Sequence, residues 1–257
     1  MEKISVVIIT FNEEQNIARC LNSVKNIADE IVVVDSFSTD NTESICAELG
    51  IKFIKHKFEG YILQKNYALA QASNDIVLSL DADEELSEEL QNSILKTKNN
   101  FVGDGYYMNR LTKIGKKWIK HSGWYPDTKL RLFNRKKGKW GGLDPHDEFR
   151  FFQKSDQKKS VLKLKGDLLH HSFNSFDDLE KQTLNFAKLS AKAYYDNGRK
   201  AHLLKILLNP LLRFTRDYFF NKGIINGKMG LKVSFNNAKA TYLKYKFLRN
   251  IRNISDS

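Results

Sequence analysis

The sequence predicts an α/β fold in which a mostly parallel, Rossmann-like sheet is flanked by helices and followed by a C-terminal helical appendage. In the first hundred residues, short apolar runs alternate with segments of helical spacing. The runs are continuously apolar, which is typical of parallel strands buried on both faces. After residue 175 the remaining patterns are helical and rich in Lys and Arg.

Each element of the first hundred residues has a local signal. A helix is expected after Asn12, with apolar residues at helical spacing from Ile17 to Val24. Further helices are expected after Ser38–Asn41 and after Ser87, because Ser and Asn are common N-caps. The predicted strands are Ser5–Thr10, Glu30–Val34, Lys52–Ile54 and Asp75–Leu80, with a helix at Gln64–Ala72 between the last two.

Composition changes divide the rest of the chain. Residues 101–175 mix aromatic, Gly and basic residues, which favours short strands and loops. We therefore predict one domain over residues 1–175, with halves at 1–100 and 101–175, and a basic helical region over 176–257. The helices of that region are predicted at Phe176–Asn197, His202–Phe220 and Leu231–Arg249.

The net charge of +12 is unevenly distributed. Residues 1–95 contain 7 Lys and Arg against 17 Asp and Glu, whereas residues 199–257 contain 13 against 2. A basic chain first suggests nucleic acid or an anionic surface as its partner. The acidic first third argues against a chain that coats nucleic acid throughout, and no nucleic-acid-binding motif is present, so we expect no nucleic-acid partner.

The cysteines and the lengths of the apolar runs indicate the cellular compartment in which the protein is expected. Cys20 and Cys46 lack the spacing of a metal site and suit a reducing compartment. The sequence opens on a strand pattern and contains no apolar run of about 18 residues. We therefore expect a cytoplasmic protein without a transmembrane helix.

The stretch LSLDADEEL ends an apolar strand in a group of carboxylates. Glu85, Glu88 and Glu89 are interpreted as a helix start, where acids interact favourably with the helix dipole. Asp81 and Asp83 fall at the carboxyl end of a central strand, where ligands bind in parallel sheets. Such a pair suits Mg²⁺ or Mn²⁺, which bind through one or two carboxylates and substrate phosphates.

Several stretches together resemble a known family. SVVIITFNEEQNI, EIVVVDSFSTDNT, QKNYAL and DIVLSLDADEEL, in this order and spacing, resemble the family-2 glycosyltransferases with the GT-A fold. GWYPDTKLRLF, GGLDPHDEF and HHSF resemble the subgroup that adds sugars to lipopolysaccharide core, with the core β-1,4-glucosyltransferase type nearest. The resemblance covers about residues 3–175. It implies an inverting transfer from a nucleotide sugar, with UDP as the expected carrier, to lipopolysaccharide core or another cell-surface glycan.

The resemblance makes residues 1–100 the nucleotide-binding half and assigns donor contacts within it. It implies that Asp35 recognises the uracil ring and that Asp81 holds the ribose and helps the metal, while Asp83 coordinates the metal directly. Phe37 departs from the smaller residue of the usual pattern. The competing interpretations, in place of donor binding, are that Glu13 is a helix-start carboxylate and that Lys65 is a solvated surface lysine. The expected donor-binding residues are Thr10, Asn12, Glu13, Asp35, Lys65 and Asp81.

An inverting transfer requires a base that deprotonates the acceptor hydroxyl. The candidates are Asp147 and Glu148 in PHDEF. Aligning His146 with the histidine of the family's V-H-E pattern puts Asp147 at the base position and leaves Glu148 as an alternative. An exposed turn without a catalytic role is the competing interpretation.

The histidines of HHSF match the place where many GT-A enzymes supply a further metal or diphosphate ligand. Adjacent side chains on a strand point to opposite faces, so only one should reach the site. We predict His171 for this role rather than His170. A buried structural histidine is the alternative.

The half at residues 101–175 is expected to bind the acceptor. Aromatic rings stack on sugars, and arginine binds phosphate or carboxylate with two hydrogen bonds. Core packing is the competing role for the tryptophans. The predicted acceptor residues are Trp118, Trp124, Tyr125 and Arg131.

The C-terminal helices mix Leu and Phe with Lys and Arg at helical spacing, as helices on an anionic leaflet do. A helical lid packed on the catalytic domain fits the same pattern. We expect packed helices whose basic face meets the inner face of the cytoplasmic membrane, where a glycolipid acceptor would lie.

Three other functions compete with glycosyl transfer. A nucleotidyltransferase would need a Gly-rich, basic loop after the first strand, and TFNEEQN is neither. A nucleic-acid-binding module would need basic residues arranged around a reading helix. A sugar-binding protein without activity is disfavoured because Asp81, Asp83 and Asp147 are all present.

Overall fold

The computed structural model describes residues 1–143, 146–152 and 160–255. They form two compact units. The first contains residues 1–111 and 127–171, and the second contains residues 112–126 and 172–257. Segment 112–126, predicted to belong to the first domain, thus groups with the C-terminal helices.

The main sheet of the first unit is parallel in one half and antiparallel in the other. Strands run in the order β3-β2-β1-β4-β8-β6-β11-β5, with β3, β2, β1 and β4 parallel and β8 antiparallel to β4. The predicted α/β architecture, a Rossmann-like sheet flanked by helices, is confirmed, and the sheet is mixed. The strands are β1 Ile4–Thr10, β2 Glu30–Asp35, β3 Lys52–Lys55, β4 Ile76–Asp81, β5 Glu84–Leu86, β6 Gly105–Ile114, β7 Lys117–Trp118, β8 Asp127–Asn134, β9 Gly138–Leu143, β10 His146–Phe151 and β11 Val161–Phe173.

Helices cover both faces of the parallel half. Alternate residues of β1 enter different apolar clusters, Ile8 in one and Val7 in the other. Burial on both faces explains why these strands are continuously apolar in sequence. The helices of this unit are α1 Ile17–Val24, α2 Thr42–Glu48, α3 Tyr61–Ala70 and α4 Glu88–Asn99.

The start of α1 and the position of Glu85 differ from the sequence prediction, whereas α4 begins after Ser87 as predicted. Asn12 does not cap α1, which begins at Ile17 with Asn16 before it. Glu85 lies in β5 rather than at the start of α4, where Ser87 accepts a hydrogen bond from the backbone N–H of Leu90. Glu88 and Glu89 occupy the first turn of α4, as predicted.

Strand register brings the predicted donor residues to one edge of the sheet. Thr10 of β1 lies beside Asp35 of β2, and Ile9 lies beside Asp81 of β4. The three strands are parallel, so their carboxyl ends open on the same side. A separate antiparallel pair, β9 with β10, carries Asp147.

The second unit is mainly helical. Its elements are β7, α5 Phe176–Asp196, α6 Leu203–Thr215, a π-helical turn Arg216–Phe220, a 3₁₀ helix Gly223–Asn226 and α7 Gly227–Ser255. Helix α7 packs against both α5 and α6. Ile114, Ile119, Leu179 and Val233 form its apolar core. Within the described ranges, no helix has both the length and the apolar content needed to cross a membrane.

Candidate active site

Asp81, the last residue of β4, lies between two basic side chains. Arg131 Nη2 on β8 donates to Asp81 Oδ2 at 2.8 Å, and Lys65 Nζ on α3 lies 3.1 Å from Asp81 Oδ1. Burial disfavours the charged carboxylate, but the charges of Arg131 and Lys65 outweigh it and hold the pKa of Asp81 well below its ordinary value. Asp81 is therefore ionised at neutral pH.

Lys65 connects Asp81 to Asp147. Its Nζ lies 2.8 Å from Asp147 Oδ2 and 4.8 Å from the centre of the Trp140 ring. The side chain is 3% exposed, so Lys65 is not the solvated surface lysine of the alternative interpretation. Its buried ammonium group is stabilised by two carboxylates and an aromatic face.

Arg131 is buried beneath the strand ends, where it joins Asp81 to Glu84. Arg131 Nη2 donates to Glu84 Oε1 at 2.7 Å, and Glu84 is fully buried. Burial lowers the pKa of Arg131, but the charges of Asp81 and Glu84 raise it further than burial lowers it. The structure thus places Arg131 in the carboxylate cluster, with 3% of its surface exposed. Its predicted role as an acceptor ligand stays a prediction.

The two adjacent histidines of β11 pair with different acids. His170 Nε2 lies 3.1 Å from Asp83 Oδ2, and His171 Nε2 lies 2.8 Å from Glu85 Oε2. Burial raises the pKa of Asp83, but the interactions with His170 outweigh it, so that the pKa is lowered. His170 is therefore the histidine whose ring contacts the Asp83 carboxylate, whereas His171 reaches Asp83 through its backbone N–H, which donates to the Asp83 carbonyl at 2.9 Å. A metal-ligand role for His171 stays a prediction.

Asp147 and Glu148 occupy different environments on β10. The side chain of Asp147 is 12% exposed and bound to Lys65. The side chain of Glu148 is 62% exposed and paired with Arg150, whose Nε donates to Glu148 Oε1 at 2.8 Å. Of the two candidate bases, Asp147 is the one joined to the Asp81 cluster.

The loops after β1 and β2 bind each other through polar side chains. Asp35 is fully buried, and Ser38 donates to both of its carboxylate oxygens, the backbone N–H at 2.8 Å. Asn12 Oδ1 accepts from the backbone N–H of Thr39 at 2.8 Å. Asn12 and Phe37 adopt left-handed backbone conformations, with φ of 54° and 64°. Thr10 is buried at the end of β1, and among the described residues its Oγ1 has no hydrogen-bond partner.

Glu13 has a strongly perturbed carboxyl group. Burial raises its pKa from 4.5 to about 7; a hydrogen bond from Asn16 opposes the rise, and the charges of Asp83 and Asp40 add to it. Glu13 Oε2 accepts from Asn16 Nδ2 at 2.7 Å. The carboxyl group of Glu13 lies close enough to Asp83 for the charge of that residue to shift its pKa, as expected of a residue in the donor pocket.

The aromatic residues predicted to bind the acceptor belong to the second unit. Trp124 Nε1 donates to Asn237 Oδ1 at 3.1 Å, and its ring lies 6.1 Å from that of Phe173. Lys113 Nζ lies 5.5 Å from the ring centre of Trp118. Tyr125 precedes a cis peptide bond to Pro126. Their roles in acceptor binding stay predictions.

The structure adds three side chains that the sequence analysis did not assign to the site: Glu84, Trp140 and His170. Glu84 belongs to the recognised acidic run, but its burial under Arg131 depends on β8, which is distant in sequence. His170 was recognisable only as one of an adjacent pair. Trp140 has no local signal, since its contact with Lys65 joins β9 to α3.

Asp83 and His170 are the residues best suited to hold a divalent cation. In the part of the chain that the structure describes, no group of three or more His, Cys, Asp or Glu side chains is arranged as a metal site. Asp83 and His170 offer an oxygen and a nitrogen donor, with side chains 19% and 13% exposed. Mg²⁺ and Mn²⁺ commonly take few protein ligands and complete their coordination with phosphates, so this pair fits such an ion.

The half-parallel sheet with carboxylates at its strand ends is the architecture expected of a GT-A enzyme. The family model described as Glycosyl transferase family 2 matches residues 5–158, and the chain belongs to this family.

Individual relatives agree with this assignment. A Rickettsia typhi protein named as an uncharacterized glycosyltransferase is 34% identical over 98% of this chain and 88% of its own length. The lipopolysaccharide core biosynthesis glycosyltransferase LpsC of Rhizobium meliloti is 28% identical over 94% of this chain and 93% of its own length. The mannosyltransferase PcManGT of Pyrobaculum calidifontis, solved with GDP-Man and Mn²⁺, has a TM-score of 0.54 at 14% identity, covering 100% of this chain and 88% of its own, and shows the shared fold.

Proposed function

We propose that this glycosyltransferase transfers a sugar, with inversion, from a nucleotide-sugar donor of the UDP type to a lipopolysaccharide-core or other cell-surface glycan. The observation that carries the proposal is the cluster at the strand ends, where Asp81, Lys65 and Asp147 are linked by contacts of 2.8 to 3.1 Å. A carboxylate pair bridged by a buried ammonium group provides both a base and a cation at one place. The resemblance of LpsC supports the acceptor class.

Asp147 is proposed as the base. As the acceptor oxygen bonds to the anomeric carbon, the bond from that carbon to the diphosphate breaks, and the hydroxyl proton passes to Asp147. The nucleotide leaves as its diphosphate from the opposite face of the sugar. Lys65 is proposed to meet the negative charge of the donor at this cluster, where its Nζ contacts both Asp147 and Asp81.

A divalent cation is proposed as the cofactor, held by Asp83 with His170 beside it. When bound, such an ion neutralises charge on the diphosphate leaving group. Asp81 and His171 complete the predicted ligand set, although in this structure Asp81 contacts Arg131 and His171 contacts Glu85. The structural neighbour PcManGT was solved with GDP-Man and Mn²⁺, which supports a divalent metal but does not choose between Mg²⁺ and Mn²⁺.

We further propose that the protein works at the cytoplasmic face of the inner membrane, where it meets a glycolipid acceptor and an anionic surface. The basic C-terminal region supports this location, with 13 Lys and Arg against 2 Asp and Glu over residues 199–257.

A panel of UDP- and GDP-sugars with Mn²⁺, Mg²⁺ or EDTA tests the donor and the metal. The expected result is metal-dependent hydrolysis or binding of one UDP-sugar. Asp83→Ala should lose this activity by about 100-fold or more while the protein keeps its thermal unfolding midpoint. Asp104→Ala, which removes an acid paired with Lys137 outside the cluster, is the matched control and should keep activity. Full activity of Asp83→Ala in Mn²⁺ would contradict the metal proposal.

A further inference from the structure

Helix α6 exposes six leucines on one side. Each turn of an α-helix has 3.6 residues, so these side chains fill about half of its circumference, with no charged residue among them. Their exposed fractions range from 45% to 67%. They are Leu203, Leu204, Leu207, Leu208, Leu211 and Leu212.

The opposite side of α6 is the one that packs on its own unit. Ile206 is the buried residue of the helix, and α6 packs against α7. A surface helix of a soluble protein normally turns its apolar side to the core. Here the more apolar half points away from it, so the second unit by itself does not explain the six leucines.

The exposed charge of residues 199–255 has one sign. In residues 199–255 as described, the one acidic residue is Asp217, which is fully buried and bound by Arg213. Lys205, Lys222 and Lys228 are all exposed. A second copy of the chain packed on this face would bring two strongly positive regions together, whereas an anionic surface complements it.

Helix α6 is too short to span a membrane. It has 13 residues, whereas a membrane-spanning helix needs about 20. Amphipathic helices with basic flanks lie in the plane of a leaflet and bury their apolar side at the boundary between headgroups and acyl chains. Phe219, Phe220, Ile224 and Ile225 follow directly along the chain and are 53% to 78% exposed.

We propose that the leucine face of α6, defined by the six leucines above, inserts into an anionic phospholipid leaflet while the surrounding lysines meet the headgroups. The leucine face is thus the part of the protein that contacts the membrane surface named in the proposed function. The inference rests on the proposed function for its biological setting. Apolar insertion, not charge alone, then holds the protein at the membrane. Vesicle binding needs no nucleotide sugar, so a failure here is distinguishable from a failure of the transfer proposal.

The first test is flotation of the full-length protein with vesicles of phosphatidylcholine alone or with phosphatidylglycerol. The variant Leu207→Gln/Leu211→Gln should lose binding to the anionic vesicles by about tenfold or more, because two exposed leucines no longer contribute burial. The control Leu184→Gln/Leu189→Gln changes two leucines of α5 that are 39% and 48% exposed, and it should bind as the native chain does. Equal binding of all three proteins would overturn the proposal.

The second test reports insertion directly and uses single substitutions. An environment-sensitive fluorophore is attached at Leu211→Cys, and Cys20 and Cys46 do not compete because they are buried. Its emission should shift to the blue on adding anionic vesicles, whereas the same label at Leu189→Cys should not shift. No shift at position 211 would overturn the proposal.

Sedimentation without lipid tests whether a second copy of the chain, rather than a membrane, covers the leucine face of α6. The proposal requires the native chain and Leu207→Gln/Leu211→Gln to have the same oligomeric state. A native dimer that this variant dissociates, combined with unchanged vesicle binding, would assign the leucine face to self-association instead.

Discussion

Asp147 and Glu148 are neighbours on β10, yet only Asp147 is joined to Lys65 and the strand-end cluster. We predict that Asp147→Asn reduces turnover by about 100-fold or more, because the amide cannot accept the acceptor proton. Nucleotide affinity should change little, since the base acts on the acceptor. Steady-state kinetics together with calorimetric titration of UDP separate the two effects.

Glu148→Gln is the matched control, because the side chain is 62% exposed and pairs with Arg150. Turnover should stay within about threefold of the native value. If Glu148→Gln were the inactive variant and Asp147→Asn the active one, the base assignment would be wrong.

Glu13 should make stability depend on pH. Its pKa is about 7 in the folded chain and 4.5 for the free side chain, so between these values the folded state retains a proton that the unfolded chain releases. The stabilisation that the Glu13 carboxyl group gives to the folded state is therefore fully present below about pH 4.5 and is lost as the pH rises through about 7. Glu13→Gln removes this dependence.

Urea unfolding in EDTA at about pH 5 and about pH 8 measures the effect. Relative to the native chain, Glu13→Gln should gain about 1–3 kcal/mol of unfolding free energy between these two pH values. Parallel pH profiles of the two proteins would contradict the raised pKa.

At the scale of elements, the π-helical turn Arg216–Phe220 depends on one buried acid. Asp217 is fully buried and accepts from Arg213 Nε at 2.5 Å, from Asn237 Nδ2 at 2.8 Å and from Asn221 Nδ2 at 3.1 Å. These partners come from α6, α7 and the turn itself. The turn is thus tied to both helices through a single carboxylate.

Asp217→Ala should lower the unfolding free energy by about 3–5 kcal/mol, because it removes the carboxylate that binds two arginines, Arg213 and Arg216, and two amide donors. Glu180→Ala is the control, since the exposed pair of Glu180 with Lys239 should contribute at most about 1 kcal/mol. Urea unfolding gives both values. Similar losses for the two variants would mean that the buried network does not stabilise the turn.

At the scale of the whole molecule, charge and apolar surface act in the same region. The chain carries a net charge of +12, yet residues 1–95 have an excess of acids, so the positive excess falls in the later part of the sequence. Electrostatic attraction to anionic lipid is screened by salt, whereas burial of leucine is not. The two contributions can therefore be separated by ionic strength.

Raising NaCl from about 0.1 M to about 1 M shortens the Debye length from about 10 Å to about 3 Å. Native binding to anionic vesicles should fall by about tenfold or more but stay above that of Leu207→Gln/Leu211→Gln at the same salt. Complete release of the native chain at high salt would show that charge alone holds it.

Local patterns predicted the parallel half of the sheet well. The strand expected at Glu30–Val34 is β2 Glu30–Asp35, and the one expected at Asp75–Leu80 is β4 Ile76–Asp81. A strand buried on both faces must be apolar at every position, so its sequence is distinctive without knowledge of its neighbours. The positions of Asp35 and Asp81 at the strand ends follow from the same pattern.

Contacts between distant segments were not predictable in this way. The grouping of segment 112–126 with the C-terminal helices, and the position of Arg131 under Asp81, depend on packing between parts of the chain far apart in sequence. The sequence identified Lys65 as a candidate, but its burial between two carboxylates required β9, which pairs with β10, to pack against α3.

By itself, the sequence determined the alternation of strands and helices, the collection of carboxylates at the strand ends and the basic character of the C-terminal region. Only the tertiary structure decided that the ring of His170 rather than that of His171 contacts the Asp83 carboxylate, and that α6 turns its leucines outward. The reason is that periodicity specifies which residues of an element share a face. Which face meets the core, the site or an outside surface is decided by the elements packed against it.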